Sequence, residues 1–127
     1  MESYRACSYP KDMEKQFIYH MCQKATWEEA ADTGEYSGSA LDLADGFIHF
    51  STADQVKKTA ALHLAGLTGL VLLTVPVDVV ADALKWEPSR DGVLFPHLYR
   101  SLKFDEAVDV TNLELDIKRH HIFPRLR

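Results

Sequence analysis

The first clear period along the chain begins at residue 16, after a polar stretch, 1–15, that contains Pro10 and no regular spacing. In QFIYHMC, Phe17, Tyr19 and Met21 fall on one side and Ile18, His20 and Cys22 on the other. That alternation predicts a strand buried on both faces. Thr26 and Glu29 stand at capping-box spacing and predict a short helix over Trp27–Asp32, stopped at Gly34. Residues 34–39 are turn-rich and read as a loop. Gly38 and Ser39 would let the backbone approach a ligand, with a plain surface loop as the competing reading. Asp45-Gly46 predicts a turn and Phe47–Phe50 a strand. Thr52 with Gln55 then opens a helix whose buried stripe is Val56, Ala60 and Leu64, ending near Gly66. The unbroken apolar run Gly69–Val75 suits a central strand. Asp78–Ala83 reads as one helical or 3-10 turn, Leu84–Glu87 as a strand and Asp91-Gly92 as a turn. A strand over Val93–Tyr99, interrupted by Pro96, and another near Ala107–Thr111 complete the pattern. Strands that cluster late, with two or three short helices, make this α+β rather than doubly wound α/β.

Composition narrows the class. A chain of 127 residues is the length of one domain. Its expected parts are an N-terminal arm (1–15), a single α+β domain (16–112) and a basic C-terminal tail (113–127). Fourteen Lys+Arg against nineteen Asp+Glu give a net charge of −5. That balance argues against a dedicated nucleic-acid binder held by phosphate contacts, while leaving room for a small anionic ligand in a local site. The two cysteines, Cys7 and Cys22, form no CxxC pair, and the N-terminal residues show no apolar leader. Leu70–Val80, the most apolar stretch, is broken by Pro76 and Asp78 and is far short of the ~20 residues that span a bilayer. The expectation is a cytoplasmic protein with reduced thiols and no membrane partner. Oligomeric state is not legible.

Chemistry concentrates on histidine. His120 and His121 belong to the basic tail, and His63 lies off the buried stripe of its helix. His20, His49 and His97 each sit inside an apolar strand-like segment. His49 shares a face with Ser51 beside the helix N-terminus at Thr52, a polar corner suited to a ribose hydroxyl, phosphate or carboxylate. The competing reading is a core histidine beside ordinary capping residues. His20 lies on the face of Ile18 and Cys22, as ligand contact or satisfied core residue. His97 shares a face with Phe95 and Tyr99, near Arg100, and would stack on a ring and pair an anion, or simply pack. Glu87, on the side of Lys85, would polarise a hydroxyl or stabilise a cation, or stand as a solvated charge. The histidines are 29 and 48 residues apart, with no metal-site signature, so no metal is expected. No G-x-S-x-G elbow accompanies Ser51.

Taken together, IYH, Trp27 and its helix, GSALDLADGFIHFS, KWE and FPHLYR resemble the domain of unknown function 952 family, from about Phe17 to Val110. The resemblance implies a fold similar to the ADP-ribosyltransferase and RNA 2′-phosphotransferase group: a split, mainly antiparallel sheet around a cleft that binds NAD. On that basis His20 is the first-strand residue at the nicotinamide ribose, and His49, with Ser51 beside it, the second. Glu87 is the candidate for the acidic role, with His97 replacing or supplementing it. Catalytic candidates are therefore His20, His49 and Glu87; binding candidates are Ser39, Ser51, Thr52, His97, Tyr99 and Arg100. There is neither a His-Tyr-Glu triad nor the Arg-rich set of the phosphotransferases. The implied function is binding of NAD or an ADP-ribosyl or nucleotide-like ligand, with ADP-ribosyl or related transfer as its reaction. The alternatives are a non-catalytic ligand-binding module and a protein-contact domain with structural histidines.

Overall fold

The computed structural model describes residues 16–127. Its elements run β1 (Phe17–Gln23), α1 (Lys24–Thr33), β2 (Glu35–Tyr36), α2 (Ala40–Asp45), β3 (Ile48–His49) and α3 (Ala53–His63). There follow β4 (Leu70–Pro76), α4 (Val77–Val80), β5 (Leu84–Pro88), β6 (Leu94–Leu98), β7 (Leu102–Lys103) and β8 (Asp109–Leu113). The class is α+β, with every strand pairing antiparallel. Two three-stranded sheets, β1-β4-β8 and β3-β6-β5, carry the fold, and β2-β7 forms a short third.

The apolar run at Leu70–Val75 lies at the centre of the first sheet, with its side chains buried on both faces. Strand β1 beside it keeps the alternation its sequence predicts. Ile18 and Cys22 enter one core with Val71, Leu73 and Leu98. Tyr19 enters a second core with Val56 of α3, Leu70, Leu72 and Leu113. Apolar burial on both sides of one sheet supplies most of the driving force for its formation.

Among the described residues, one backbone bridge joins the two main sheets. Tyr19 and Ser51 exchange both backbone hydrogen bonds, each 2.8 Å. Proline sets this point. Strand β3 pairs with β6 through Ile48–Leu98 and His49–His97, and Phe50 N–H still donates to the Pro96 carbonyl at 3.0 Å. Pro96 has no N–H to return, so half of the next ladder pair is missing. The chain then leaves β6, and Ser51 is taken by β1.

Helix boundaries differ from expectation: α3 ends at His63 rather than near Gly66, and α4 spans Val77–Val80 rather than Asp78–Ala83. Helix α1 starts at Lys24, after Gln23, and has no side-chain cap, so Thr26 and Glu29 lie inside it rather than framing its start. Helix α2, the fourth helix, was not expected in the sequence. Its six residues are too few to show a period, and its leucines, Leu41 and Leu43, are exposed. The predicted arm, residues 1–15, lies outside the described residues. Residues 114–127 run over the first sheet: the Tyr19 hydroxyl donates to the Arg127 carbonyl (3.1 Å) and accepts from its N–H (2.8 Å). Phe123 and Leu126 pack on the second core. No helix among the described residues is long and apolar enough to cross a membrane.

Leu73, fully buried and the register partner of His20, tests this core. Leu73→Ala should lower stability by about 2–5 kcal/mol, read as a reduced urea midpoint with an unchanged slope. A midpoint within error of the parent would place Leu73 outside the packed core.

Candidate functional site

A short helix carries the organising residue. Ser39 is the N-cap of α2, and Asp42 at its third position completes a capping box. The Asp42 carboxylate accepts from Ser39 N–H (2.6 Å) and the Ser39 hydroxyl (2.9 Å) through Oδ2. Through Oδ1 it accepts from His49 N–H (3.0 Å) and His49 Nδ1–H (2.6 Å). Gly38 precedes this turn at φ +103°, where a Cβ would stand 2.5 Å from the Asp42 Cβ. Asp42 is only 3% exposed. Burial pushes its carboxyl up, but the His49 hydrogen bond, the nearby His20 and the backbone donors outweigh that and hold it at about 2.

His20 and His49 approach this one carboxylate in opposite charge states. Both ring nitrogens of His49 face carboxylates, Nδ1 to Asp42 at 2.6 Å and Nε2 to Asp45 at 2.9 Å. A carboxylate only accepts, so both nitrogens carry hydrogen and the ring is an imidazolium. The Asp42 hydrogen bond raises its pKa above the ordinary histidine value, against the opposing effect of partial burial. His20 Nδ1 lies 2.6 Å from the His49 carbonyl oxygen and must donate to it. Burial favours the neutral ring, and in that form its Nε2 accepts from the Tyr36 hydroxyl at 2.7 Å. Burial pushes its pKa down, opposed by Asp42, whose Oδ2 lies 3.7 Å away.

A second carboxylate–imidazole pair faces the first. His97 on β6 is the register partner of His49, and the two ring centroids are 5.5 Å apart. His97 Nδ1 lies 2.8 Å from Glu87 Oε1, and the Tyr99 hydroxyl donates to the same oxygen at 2.6 Å. Phe47 stacks on the His97 ring at 4.1 Å, with 24° between the planes.

These elements surround a cleft of about 570 Å³, a size suited to a small organic ligand. Of the sequence candidates, His20, Ser39, His49, Ser51 and His97 line it, with apolar wall from Met21, Leu41, Phe50 and Phe95. Glu87 and Tyr99 stand behind His97 rather than on the cleft surface. Thr52 heads α3, its N–H donated to Gln55 Oε1 at 3.0 Å. Arg100 is committed elsewhere, to Asp82, Glu106 and the carbonyls of Val79 and Ser101. Asp42, Asp45, Tyr36 and Phe47 did not emerge from the sequence as functional. The Ser39-x-x-Asp42 spacing was the available signal for Asp42. His63 is exposed, as its helix position implies, yet borders the cleft. Cys22 is no nucleophile: burial pushes its thiol up to about 11, beyond what its hydrogen bond with Tyr36 recovers. No group of three or more potential ligands is arranged for a metal among the described residues.

Residues 21–110 match the model of a family described as "Protein of unknown function (DUF952)". The chain belongs to the DUF952 family. This DUF952 domain is similar to the crystal structure of protein CC0527 from Caulobacter crescentus, with 43% identity and a TM-score of 0.80. That match covers 84% of this chain and 93% of the other. The solution NMR structure of CC0527 gives 45% identity and a TM-score of 0.74 over 81% and 89% of the two chains. No curated protein matches this DUF952 chain.

Two measurements follow from the Asp42 network. Asp42→Ala strips α2 of its cap and leaves His49 without its closest counter-ion, and should cost about 3–5 kcal/mol. Gly38→Ala should disturb the same turn by collision. In both variants an NMR titration should find the His49 pKa lowered toward the ordinary value; an unchanged His49 would mean that Asp42 does not hold it.

The pH dependence has three parts. Asp42 is held down, so its contribution, on the order of 2 kcal/mol, is present above the ordinary carboxyl pKa and lost as pH falls through about 2. His49 is held up, so its share of the same ion pair is complete below the ordinary histidine pKa and lost as pH rises through its elevated value. His20 is held down, and its contribution is lost as pH falls from the ordinary histidine value through its depressed one. Imidazole resonances followed across pH should show His49 charged while His20 is neutral. The reverse order would contradict the hydrogen-bond assignment.

Proposed function

We propose that this DUF952 domain binds NAD or an ADP-ribosyl compound in the His20/His49/His97 cleft, with ADP-ribosyl transfer or hydrolysis as its reaction. The observation that carries this reading is the convergence of His20, His49, Ser51 and the Asp42 carboxylate at the seam between the two sheets. Asp45 is a displaceable partner, since its side chain is 43% exposed. A ribose hydroxyl taking its place would receive the His49 Nε2–H. Ser51 holds Thr59 only through a long bond of 3.4 Å, so its hydroxyl has capacity for a second ribose oxygen. His20 acts indirectly, because both its ring nitrogens are occupied in fixing the His49 backbone and Tyr36.

Charge supports the same orientation. Asp42, His49 and Asp45 together carry one net negative charge, complementary to a cationic nicotinamide ring and to the positive charge that grows on ribose as that ring leaves. The apolar wall supplies a surface for a flat ring. A non-catalytic binding module is the second reading. It is favoured by the engagement of both Asp42 oxygens and by the position of Glu87 behind His97.

Isotope-labelled protein should be titrated with NAD, ADP-ribose and nicotinamide, with and without His49→Ala. Saturable shifts at His20, His49 and Ser51, lost in the variant, are the expected result. No shift at millimolar ligand would remove NAD from the account.

A further inference from the structure

Resting on the ligand reading above, we propose that His97, positioned by Glu87, is the general base of the cleft and acts on the hydroxyl that attacks the ribosyl carbon. Four histidines border the cleft, and their hydrogen bonds separate them. His20 has Nδ1 on the His49 carbonyl and Nε2 on the Tyr36 hydroxyl. His49 has both nitrogens on carboxylates and is already protonated, which makes it a donor. His63 is exposed at the end of α3, and its ring makes no hydrogen bond among the described residues. His97 alone combines an oriented ring with a spare nitrogen. Its Nδ1–H is given to Glu87 at 2.8 Å, so in the neutral ring Nε2 is the nitrogen that carries the lone pair.

The support behind that ring is what a base requires. The Tyr99 hydroxyl fixes the Glu87 oxygen at 2.6 Å, and Phe47 fixes the ring plane. A carboxylate behind Nδ1 selects the tautomer and stabilises the imidazolium that forms when Nε2 takes a proton. Glu87 thus serves through His97 as a positioning residue, not in contact with the ligand. Nε2 takes the proton of water or an acceptor hydroxyl while its oxygen bonds to the ribosyl C1′. The C1′–nitrogen bond breaks, and its electron pair leaves on the nicotinamide nitrogen, neutralising that ring. His49, its register partner on the same sheet with ring centroids 5.5 Å apart, stands beside it as the donor.

The test uses the full chain with NAD as probe, measuring nicotinamide release and binding shifts together. His97→Ala should keep the binding shifts and lose at least about 100-fold in rate, with partial recovery on adding imidazole. Glu87→Gln should lower the rate less, without imidazole rescue. Since His97 is buried, His97→Gln provides a variant of closer size, and its amide spectrum reports folding. Nitrogen-15 spectra of the unliganded protein give a readout independent of turnover: His97 must carry its hydrogen on Nδ1 and a bare Nε2, and Glu87→Gln must weaken that preference. Binding with no release, release unchanged in His97→Ala, or a hydrogen on Nε2 would each overturn the assignment while leaving the ligand reading in place. Absence of NAD binding would instead sink the ligand reading and this proposal with it.

Discussion

One buried carboxylate sets the site. Asp42 closes the first turn of α2, fixes β3 through the His49 N–H, and holds the His49 ring as an imidazolium. It lies 3.7 Å from a second imidazole that its surroundings keep neutral. A charge so enclosed persists only where donors surround it. Ser39 and His49 provide them, and both depend on the turn at Gly38. Local helix capping and the electrostatics of the cleft are therefore the same set of hydrogen bonds. Changes that disturb one will be felt in the other.

The remainder of the cleft depends on how two sheets are joined. Strand β1 carries its second-core residue, Tyr19, next to His20, so neighbouring residues on one strand serve the packing and the cleft. The β3–β6 pairing places His49 opposite His97, and the β5–β6 hairpin puts Glu87 behind that second ring. Each imidazole is thus backed by a carboxylate from a different part of the chain. The two pairs differ in consequence: His49 has both ring nitrogens on carboxylates, whereas His97 has only Nδ1 on one.

Much of this was legible in the sequence, for identifiable reasons. Buried strands such as β1 and β4 announce themselves by alternation or by a continuous apolar run, because packing against two layers constrains every position. The histidines of interest were legible by their apolar neighbours. Helix α2 was not, because its leucines face outward and six residues define no period. Asp42 was hidden with it, although the Ser39-x-x-Asp42 spacing matches that of the capping pair at Thr52 and Gln55. The Glu87–His97 contact lies diagonally across two strands, since Lys85 is the direct partner of His97, and such pairing depends on a register that spacing alone does not give. Arg100 had the right chemistry for an anion, but two carboxylates that no periodic pattern links to it, Asp82 and Glu106, occupy it.

The missing hydrogen-bond donor at Pro96 has a consequence for the cleft's existence. A residue with an N–H at that register could return the bond from Phe50 and extend the β3–β6 ladder by one full pair. Ser51 would then be drawn along the second sheet instead of crossing to Tyr19. An imino acid, chosen elsewhere in proteins to stop a strand, here serves as a handover point. It releases the chain from one sheet so that another can take it, and the cleft opens where the two sheets part.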